Sequence, residues 1–300
     1  MQLKTLADYR SMVWMAEFYP RLVEDPSKSH GDAAAGNMLM HGDNLPAMRA
    51  MMILGYAGTV DCVQIDPPYN TGQQFESYGD KEAPEEWFNQ MRVRLALMYR
   101  LLRTTGFLAC HIDDTNAHRT RQILDDVFGS DNYWGTFHVH TKHSDPSVSF
   151  RDPRFPRFME QVQVYRKSPD AHPFAPADGS PVSDYIDGAA LSDRSREGGV
   201  TFRGGKKPES LIQLVYSLFA PTGGTVFDGY LGSGTGAAVA TKMGLQWYAV
   251  ARHHMESHCL PRLRAVVDGT DETGITSAVG WRGGSGFKYF DVVDLPGSLS

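Results

Sequence analysis

Short apolar runs bounded by turn residues alternate along the chain with longer segments of helical periodicity. Val60–Ile65 and the runs FLACHI, GGTVFDGY and LQWYAVA predict buried strands, because each is short and apolar. Residues 115–128, SLIQLVYSLF and GSGTGAAVATKMG predict helices. After Pro84, apolar side chains recur at helical spacing at Trp87, Phe88, Met91, Leu95, Met98 and Leu102. This alternation predicts an α/β fold, with a parallel sheet covered by helices on both faces.

The chain divides into three parts by composition. Residues 1–35 predict a polar helical lead-in that ends in a loop of small and charged residues. The α/β pattern occupies residues 36–140 and 204–300, which together predict one domain. Residues 141–203 are rich in proline, glycine and charge, and EQVQVYRK is the one part of them that predicts a strand. We therefore expect an inserted segment that lies outside the sheet core.

Composition limits the class of protein. The 300 residues are 41% hydrophobic and 21% charged, which excludes a disordered, collagen-like or fibrous chain. No apolar run approaches the ~20 residues of a membrane helix, and the first residues lack the apolar core of a secretion signal. Three cysteines without a CxxC pair favour a reduced, cytoplasmic location. The net charge of −6 excludes a protein that coats nucleic acid indiscriminately, although it allows a local basic groove.

The first candidate for chemistry is the sequence Asp66-Pro67-Pro68-Tyr69-Asn70, which follows a predicted buried strand. The carboxyl ends of parallel strands face the crevice in which open α/β sheets bind ligands. A carboxylate, free proline carbonyls and a flat aromatic ring suit an exocyclic amine on a planar base. The alternative interpretation is a strand-terminating turn with a half-buried tyrosine.

The second candidate is the glycine-rich stretch 227–236, FDGYLGSGTG, between a predicted strand and a predicted helix. Glycines at such a junction allow close approach of the backbone to a ligand, and a helix N-terminus follows. The stretch is neither a strict GxGxxG nor a GxxxxGK[ST] motif, so it predicts a nucleotide-type cofactor loop and not an ATP-type P-loop.

These motifs occur in an order that resembles a known family. The order HGDNLPAM, VDCVQIDPPYNTG, GGKKPESLIQLV and VFDGYLGSGTG resembles that of the amino-methylating DNA methyltransferases of the permuted β group. In particular, it is similar to the modification subunits of type III restriction systems. The resemblance covers most of the chain outside the first 35 residues and the middle segment. It implies a Rossmann-like, S-adenosylmethionine-dependent methyltransferase sheet with a small inserted recognition segment.

The resemblance also implies residue roles. Asp66, Pro67, Pro68 and Tyr69 would form a pocket for a flipped-out base, and an aspartate at the first position is typical of adenine-N6 enzymes. The implied activity is methyl transfer from S-adenosylmethionine to the N6 amine of adenine in a specific DNA sequence. The residues implied to bind the cofactor are Asp43, Asn44, Asp66, Lys206, Pro208, Asp228, Tyr230, Gly232, Ser233, Gly234 and Thr235.

In such families the variable middle segment recognises the DNA sequence. We expect double-stranded DNA as substrate, a restriction subunit as a partner, a homodimer, and no membrane association. Lys206 and Lys207 are expected to reach phosphates, and the alternative for the basic stretch 194–207 is a solvated loop. The other residues expected to contact nucleic acid are Asn70, Arg151, Arg154, Arg157, Arg194 and Arg196.

Two features keep other interpretations open. A cofactor-binding strand of this type usually ends in an acid that binds ribose, but Ala251 stands there and Glu256 is the nearest acid downstream. The alternatives are therefore a catalytically weak or inactive DNA-binding subunit, and methylation of N4-cytosine or RNA. His254 and His258 are spaced as on one helix face but lack a second ligand pair, so we expect no metal site.

Overall fold

The computed structural model describes residues 20–69, 83–140, 158–176, 179–192, 196–201 and 206–293, which form an 11-stranded sheet covered by helices. The strands are β1 Arg21–Glu24, β2 His30–Gly31, β3 Met38–His41, β4 Val60–Ile65, β5 Leu102–Asp113, β6 Tyr133–His140, β7 Met159–Arg166, β8 Tyr185–Ile186, β9 Thr225–Asp228, β10 Gln246–Ala251 and β11 Gly286–Val293. The helices are α1 Asn44–Ile53, α2 Pro84–Leu101, α3 Ala117–Phe128, α4 Glu209–Phe219, α5 Thr235–Lys242, α6 Leu260–Val267 and α7 Thr276–Val279.

The strand order across the sheet is β1-β11-β3-β10-β9-β4-β5-β7-β6-β8, and β2 pairs with β11. Within the described residues, the six consecutive strands from β11 to β5 form five parallel pairs. β7 runs antiparallel to both β5 and β6. Parallel neighbours end at the same edge of the sheet, so the loops that follow β3, β9, β10 and β4 are brought together there.

The period-two pattern of the strands divides the core between the two faces of the sheet. On β3, Leu39 packs in one hydrophobic cluster with residues of α4, α5 and α6, whereas Met38 and Met40 pack in the other with residues of α1, α2 and α3. On β4, Cys62 belongs to the first cluster and Val63 to the second. The expectation of an α/β sheet with helices on both faces is confirmed.

Two segments differ from the sequence-based expectation. β7 lies inside the predicted insertion 141–203, yet it pairs with β5 in the register Ala109↔Val164, and Val162 and Val164 are buried. The run EQVQVYRK predicted the strand, but the composition of the flanking residues placed it outside the sheet core, because its partner β5 is distant in sequence. Residues 20–35 were expected to belong to a helical lead-in, but Arg21–Glu24 forms β1 on the C-terminal strand β11. Residues 1–19 lie outside the described residues.

No helix in the described ranges combines the length and the apolar character that crossing a lipid bilayer requires.

Candidate active site

The turn from Asp66 to Tyr69 follows β4, which lies between β9 and β5 in the centre of the sheet. Pro67 and Pro68 lack an N–H group, so they cannot extend the strand ladder. The turn is held from two sides: the Trp87 indole donates a hydrogen bond to the Pro68 carbonyl (3.0 Å), and the Asn116 amide donates to the Tyr69 carbonyl (2.6 Å). The predicted strand-terminating turn is therefore rigidly supported.

The Asp66 carboxylate accepts a hydrogen bond from the Tyr69 hydroxyl at 2.6 Å. Its side chain remains 26% exposed, so it is open to a ligand from one side. Burial raises the pKa of Asp66, while the nearby ammonium of Lys207 and the Tyr69 hydroxyl act in the opposite direction. Burial and the Asp66 charge raise the pKa of Tyr69 well above its ordinary value, so its hydroxyl stays protonated and donates.

Lys207 does not lie where the sequence analysis expected it. Its side chain is only 5% exposed, and its ammonium donates to the Tyr69 hydroxyl and to Glu160 Oε2, both at 2.8 Å. The expectation that Lys207 reaches a DNA phosphate is wrong, because the ammonium is buried between the carboxylates of Asp66 and Glu160. Glu160 of β7 was missed, although a buried lysine requires a counter-charge and EQVQVYRK offers one.

The glycine-rich loop connects β9 to α5 beside this turn. Asp228 ends β9, and its carboxylate accepts from the Tyr230 backbone N–H at 2.9 Å. Gly234 has φ 86°, and a Cβ at Gly236 would collide with Asp228 Oδ2, so both positions favour glycine. Burial raises the pKa of Asp228 to about 7, and the Asp66 charge adds to this effect. The two predicted motifs therefore lie close enough for their carboxylates to influence each other.

The Asp43–Asn44 segment lies beside the same loop. The Asn44 amide donates to the Gly229 carbonyl at 2.8 Å, and the Asp43 carboxylate caps α1 by accepting from the Leu45 N–H at 2.8 Å. Arg94 of α2, which sequence reasoning missed, donates to both Asn44 Oδ1 (2.6 Å) and Asp43 Oδ1 (3.0 Å). The arginine therefore joins α2 to the end of β3.

Lys206 is also buried, and this corrects the expectation that it contacts phosphate. Its ammonium donates to the Glu197 carbonyl (2.6 Å) and to the Val200 carbonyl (3.1 Å). The Glu197 carboxylate in turn accepts from the Glu209 N–H at 3.0 Å, next to Pro208, which precedes α4. Residues 197–200 were assigned to the insertion, but these contacts tie them to the start of α4.

A buried charge network supports the glycine-rich loop from α6. Arg262 is fully buried and donates to the Ser233 carbonyl (3.2 Å) and to Thr235 Oγ1 (2.8 Å). It also pairs with Glu209 Oε1 at 2.7 Å, and Glu209 is bound on its other side by Lys242 at 2.8 Å. The sequence carries no local signal for this network, because its members come from three different helices. Gly232 is half-buried, and its carbonyl accepts from the Cys259 thiol at 3.3 Å.

The end of β10 carries the departure noted in the sequence. Ala251 is buried and pairs with His41 on β3. Glu256, the nearest acid downstream, forms an ion pair with Lys28 at 2.9 Å and is 64% exposed. Asp43 on the neighbouring loop accepts from Arg252 as well, at 3.2 Å. Both Glu256 and Asp43 are therefore already engaged by basic side chains.

Several expected residues lie outside this arrangement. Arg196 is exposed and precedes the short turn at Glu197. His254 and His258 stack edge to face at 4.8 Å, and the described residues contain no cluster of three potential metal ligands. The expected nucleic-acid contacts that lie outside the described residues are Asn70, Arg151, Arg154, Arg157 and Arg194.

Comparison with known proteins identifies relatives of the chain. Residues 60–256 match the model of a DNA methylase family of N6 and N4 methyltransferases. The HindVI Mod subunit of a probable type III restriction-modification enzyme from Haemophilus influenzae is 22% identical, over 88% of this chain and 55% of that protein. The StyLTI Mod subunit from Salmonella typhimurium is 31% identical over 31% of this chain and 18% of its own length. The chain thus spans about half the length of the HindVI subunit, and its match to the StyLTI subunit covers a smaller share of that protein.

Solved structures share the fold. The PvuII DNA methyltransferase, described as cytosine-N4-specific, has a TM-score of 0.60 and 14% identity, covering 81% of this chain and 90% of that one. M1.HpyAVI in complex with S-adenosylmethionine has a TM-score of 0.53 and 12% identity, covering 76% of this chain and 96% of that one. At these identities the structures support the fold, while the family match covers more than half of the chain. The chain therefore belongs to the DNA methylase family, whose members use S-adenosyl-L-methionine as the methyl donor.

Proposed function

We propose that this chain transfers a methyl group from S-adenosylmethionine to the exocyclic N6 of an adenine flipped out of double-stranded DNA. The observation that carries the proposal is the position of the Asp66–Tyr69 turn beside the glycine-rich loop. β4 and β9 are direct parallel neighbours, with Val63 opposite Phe227, so the turn and the loop start at the same edge. An acceptor for the target amine and a cofactor loop are thereby adjacent.

The residues of the loop fit the cofactor. A side chain at Gly236 would fill the space next to the Asp228 carboxylate, so this position remains open only with glycine. The Tyr216 hydroxyl is buried nearby and has no hydrogen-bond partner among the described residues. Asp228, Tyr230 and Asn44 are the groups that would hold the cofactor, and the cofactor when bound supplies an electrophilic methyl group. Carboxylate and amide oxygens suit its amine and hydroxyl donors.

The Asp66 turn supplies what the amine of adenine needs. This amine is a poor nucleophile because its lone pair is delocalised into the ring. Hydrogen bonds from N6 to the Asp66 carboxylate and the Pro67 carbonyl favour the pyramidal, more nucleophilic amine. Extruding the base costs a few kcal/mol, and stacking on Tyr69 returns about 1–3 kcal/mol. The Tyr69 hydroxyl uses one acceptor position of Asp66 Oδ1, and the carboxylate has further lone pairs for the amine.

Adenine is proposed over cytosine because an aspartate opens the motif and because the Mod subunits are among the relatives. The PvuII enzyme, which shares the fold, is described as cytosine-N4-specific, so the base is a question for experiment. A second candidate, a DNA-binding subunit with little turnover, is favoured by Ala251 at the end of β10.

For the whole protein we propose a cytoplasmic modification enzyme that acts as a homodimer with a restriction subunit as partner. Residues 141–203 would recognise the target sequence, with Arg151, Arg154 and Arg157 as its base or phosphate contacts. These arginines recur every third residue among prolines and aromatic residues, which suits contact with a nucleic-acid backbone.

The experiment is methylation of unmethylated double-stranded DNA by the purified protein, with labelled S-adenosylmethionine, followed by mass spectrometry of the nucleosides. N6-methyladenine is expected in the wild-type reaction and not with Asp66→Ala. N4-methylcytosine as the product would overturn the choice of base. Cofactor and DNA binding without any methylated nucleoside would support the second candidate. Long-read sequencing of DNA from expressing cells would then identify the methylated sequence.

A further inference from the structure

A lysine–glutamate pair closes the Asp66 turn on the side of β7. The Lys207 ammonium lies 2.8 Å from Glu160 Oε2, 2.8 Å from the Tyr69 hydroxyl and 3.5 Å from Asp66 Oδ1. It also lies over the Tyr69 ring, 5.2 Å from the centroid. One cation therefore contacts both side chains that the proposed chemistry uses.

The backbone fixes where this pair lies. Glu160 is on β7, opposite Asp113 of β5, and β5 is the direct neighbour of β4, which Asp66 follows. Lys207 comes immediately before Pro208 at the start of α4. The two carboxylates are thus set by strands of one sheet, and the ammonium enters between them from the helix layer. A surface ion pair would not be constrained in this way.

We propose that Lys207 and Glu160 are positioning residues of the methyl-transfer site: Lys207 directs the side chains of Asp66 and Tyr69, and Glu160 holds Lys207 in place. This inference rests on the proposed methyl transfer, in which the Asp66 carboxylate accepts the target amine. It assigns a role to Glu160, which lies in the segment expected to recognise DNA.

The two partners act on Asp66 with opposite signs. Burial raises the pKa of Asp66, the Lys207 charge lowers it, and the Glu160 charge raises it. Burial lowers the pKa of Lys207, but Asp66 and Glu160 raise it above its ordinary value, so the ammonium keeps its charge. Removing Lys207 therefore makes Asp66 protonate at higher pH, and removing the Glu160 charge makes it protonate at lower pH. A protonated carboxyl is a weaker acceptor for the amine.

Other titratable groups lie near the pair. His111 has its pKa lowered well below the ordinary value by burial and by Lys207, so it remains neutral. Burial raises the pKa of the Cys110 thiol, which is also neutral. The titratable side chains that interact with the pair or with Asp66 include Tyr69, Cys110, His111 and Asp228.

The test compares Lys207→Met, Lys207→Arg and Glu160→Gln with the wild-type protein. Single-turnover methyl transfer to double-stranded DNA is measured against pH, together with the affinity for S-adenosylmethionine and the unfolding transition. Lys167→Met is the matched control: this lysine follows β7, and its ammonium binds the Leu102 carbonyl and lies over the Tyr99 ring, away from Asp66.

In Lys207→Met the acid limb of the rate profile should move up by about 1–3 pH units, with recovery at high pH and cofactor affinity within a few-fold. In Glu160→Gln the limb should move down. Lys207→Arg should lie between Lys207→Met and the wild-type protein, and Lys167→Met should match the wild-type profile. The inference is overturned if the variants lose rate equally at every pH. It is also overturned if the acid limbs of Lys207→Met and Glu160→Gln move in the same direction.

A second measurement does not need turnover. The carboxyl carbon of Asp66, assigned by comparison with Asp66→Asn in protein labelled at aspartate, is titrated by NMR in the three variants. The same opposite shifts are expected. If the wild-type protein methylates nothing but the variants show these shifts, the proposed function is contradicted and the pairing remains intact. An active wild-type protein whose Asp66 titration ignores both substitutions contradicts only the pairing.

Discussion

Replacing Arg262 with methionine tests the buried network under the glycine-rich loop. Arg262 and Glu209 are both fully buried and 2.7 Å apart. Breaking such a pair by removing one partner costs about 3–5 kcal/mol, because a buried charge loses its compensation. Here Lys242 still binds Glu209 at 2.8 Å, so we expect the lower end, about 3 kcal/mol in the free energy of unfolding.

The same substitution frees the loop. Arg262 donates to the Ser233 carbonyl and to Thr235 Oγ1, and each such bond contributes about 1 kcal/mol. If the cofactor must reorder the loop at the cost of one such bond or slightly more, its affinity falls about tenfold. Arg264→Met is the control on the same helix: Arg264 donates one long bond to the Lys28 carbonyl, at 3.4 Å. The free energy of unfolding of Arg264→Met should stay within ~0.5 kcal/mol of the wild-type value.

The assays are urea unfolding and calorimetric titration of S-adenosylmethionine. A double-mutant cycle with Glu209→Gln should give a coupling energy of about 1–3 kcal/mol, since the two side chains are in direct contact. An Arg262→Met protein that unfolds within ~0.5 kcal/mol of the wild type, with unchanged cofactor affinity, refutes the reasoning. So does a coupling energy near zero.

Three further predictions concern the site itself. Asp66→Ala should abolish methyl transfer with cofactor affinity within a few-fold, and a variant that keeps more than a tenth of wild-type turnover contradicts the role of the carboxylate. Glu256→Ala should leave the affinity for S-adenosylmethionine unchanged, because Lys28 engages that acid. A large loss of affinity in this variant would show that Glu256 reaches the ribose. The folded-state pKa of Asp228 is raised to about 7, so the native state holds a proton that the unfolded state releases. The free energy of unfolding should therefore fall as pH rises from about 4 to 7, by up to about 4 kcal/mol. Asp228→Asn should remove most of this slope in pH-dependent unfolding, and an unchanged slope would contradict the assignment.

The helices α2 to α5, most of the central strands and the position of both motifs were predictable from local sequence. The strand Val60–Ile65 ends where Asp66 and Pro67 stop the ladder, and the glycine-rich loop begins where β9 ends at Asp228. These features depend on periodicity and on residues with restricted or unusual backbone freedom, which act over a few neighbours in the chain. The resemblance to β-group methyltransferases rested on the same short motifs.

The run EQVQVYRK predicted β7 as a strand but not its place in the sheet, and β1 was not predicted at all. Each of these strands is positioned by a partner that is distant in sequence. β1 pairs with β11, which places Arg21 opposite Val293 at the other end of the chain. The helical expectation for the lead-in failed at Arg21–Glu24 for this reason.

Local sequence determined which residue types stand at the strand ends, and tertiary structure decided which of them act together. Lys207 looked like one more cation of a basic stretch, but the order of β4, β5 and β7 places it between Asp66 and Glu160. Arg262 gave no signal, yet it joins α6 to the glycine-rich loop. A charge can be buried only where opposite charges and hydrogen-bond partners surround it. Those partners come from segments far apart in the chain, so the sheet order has to exist before the pairing is defined.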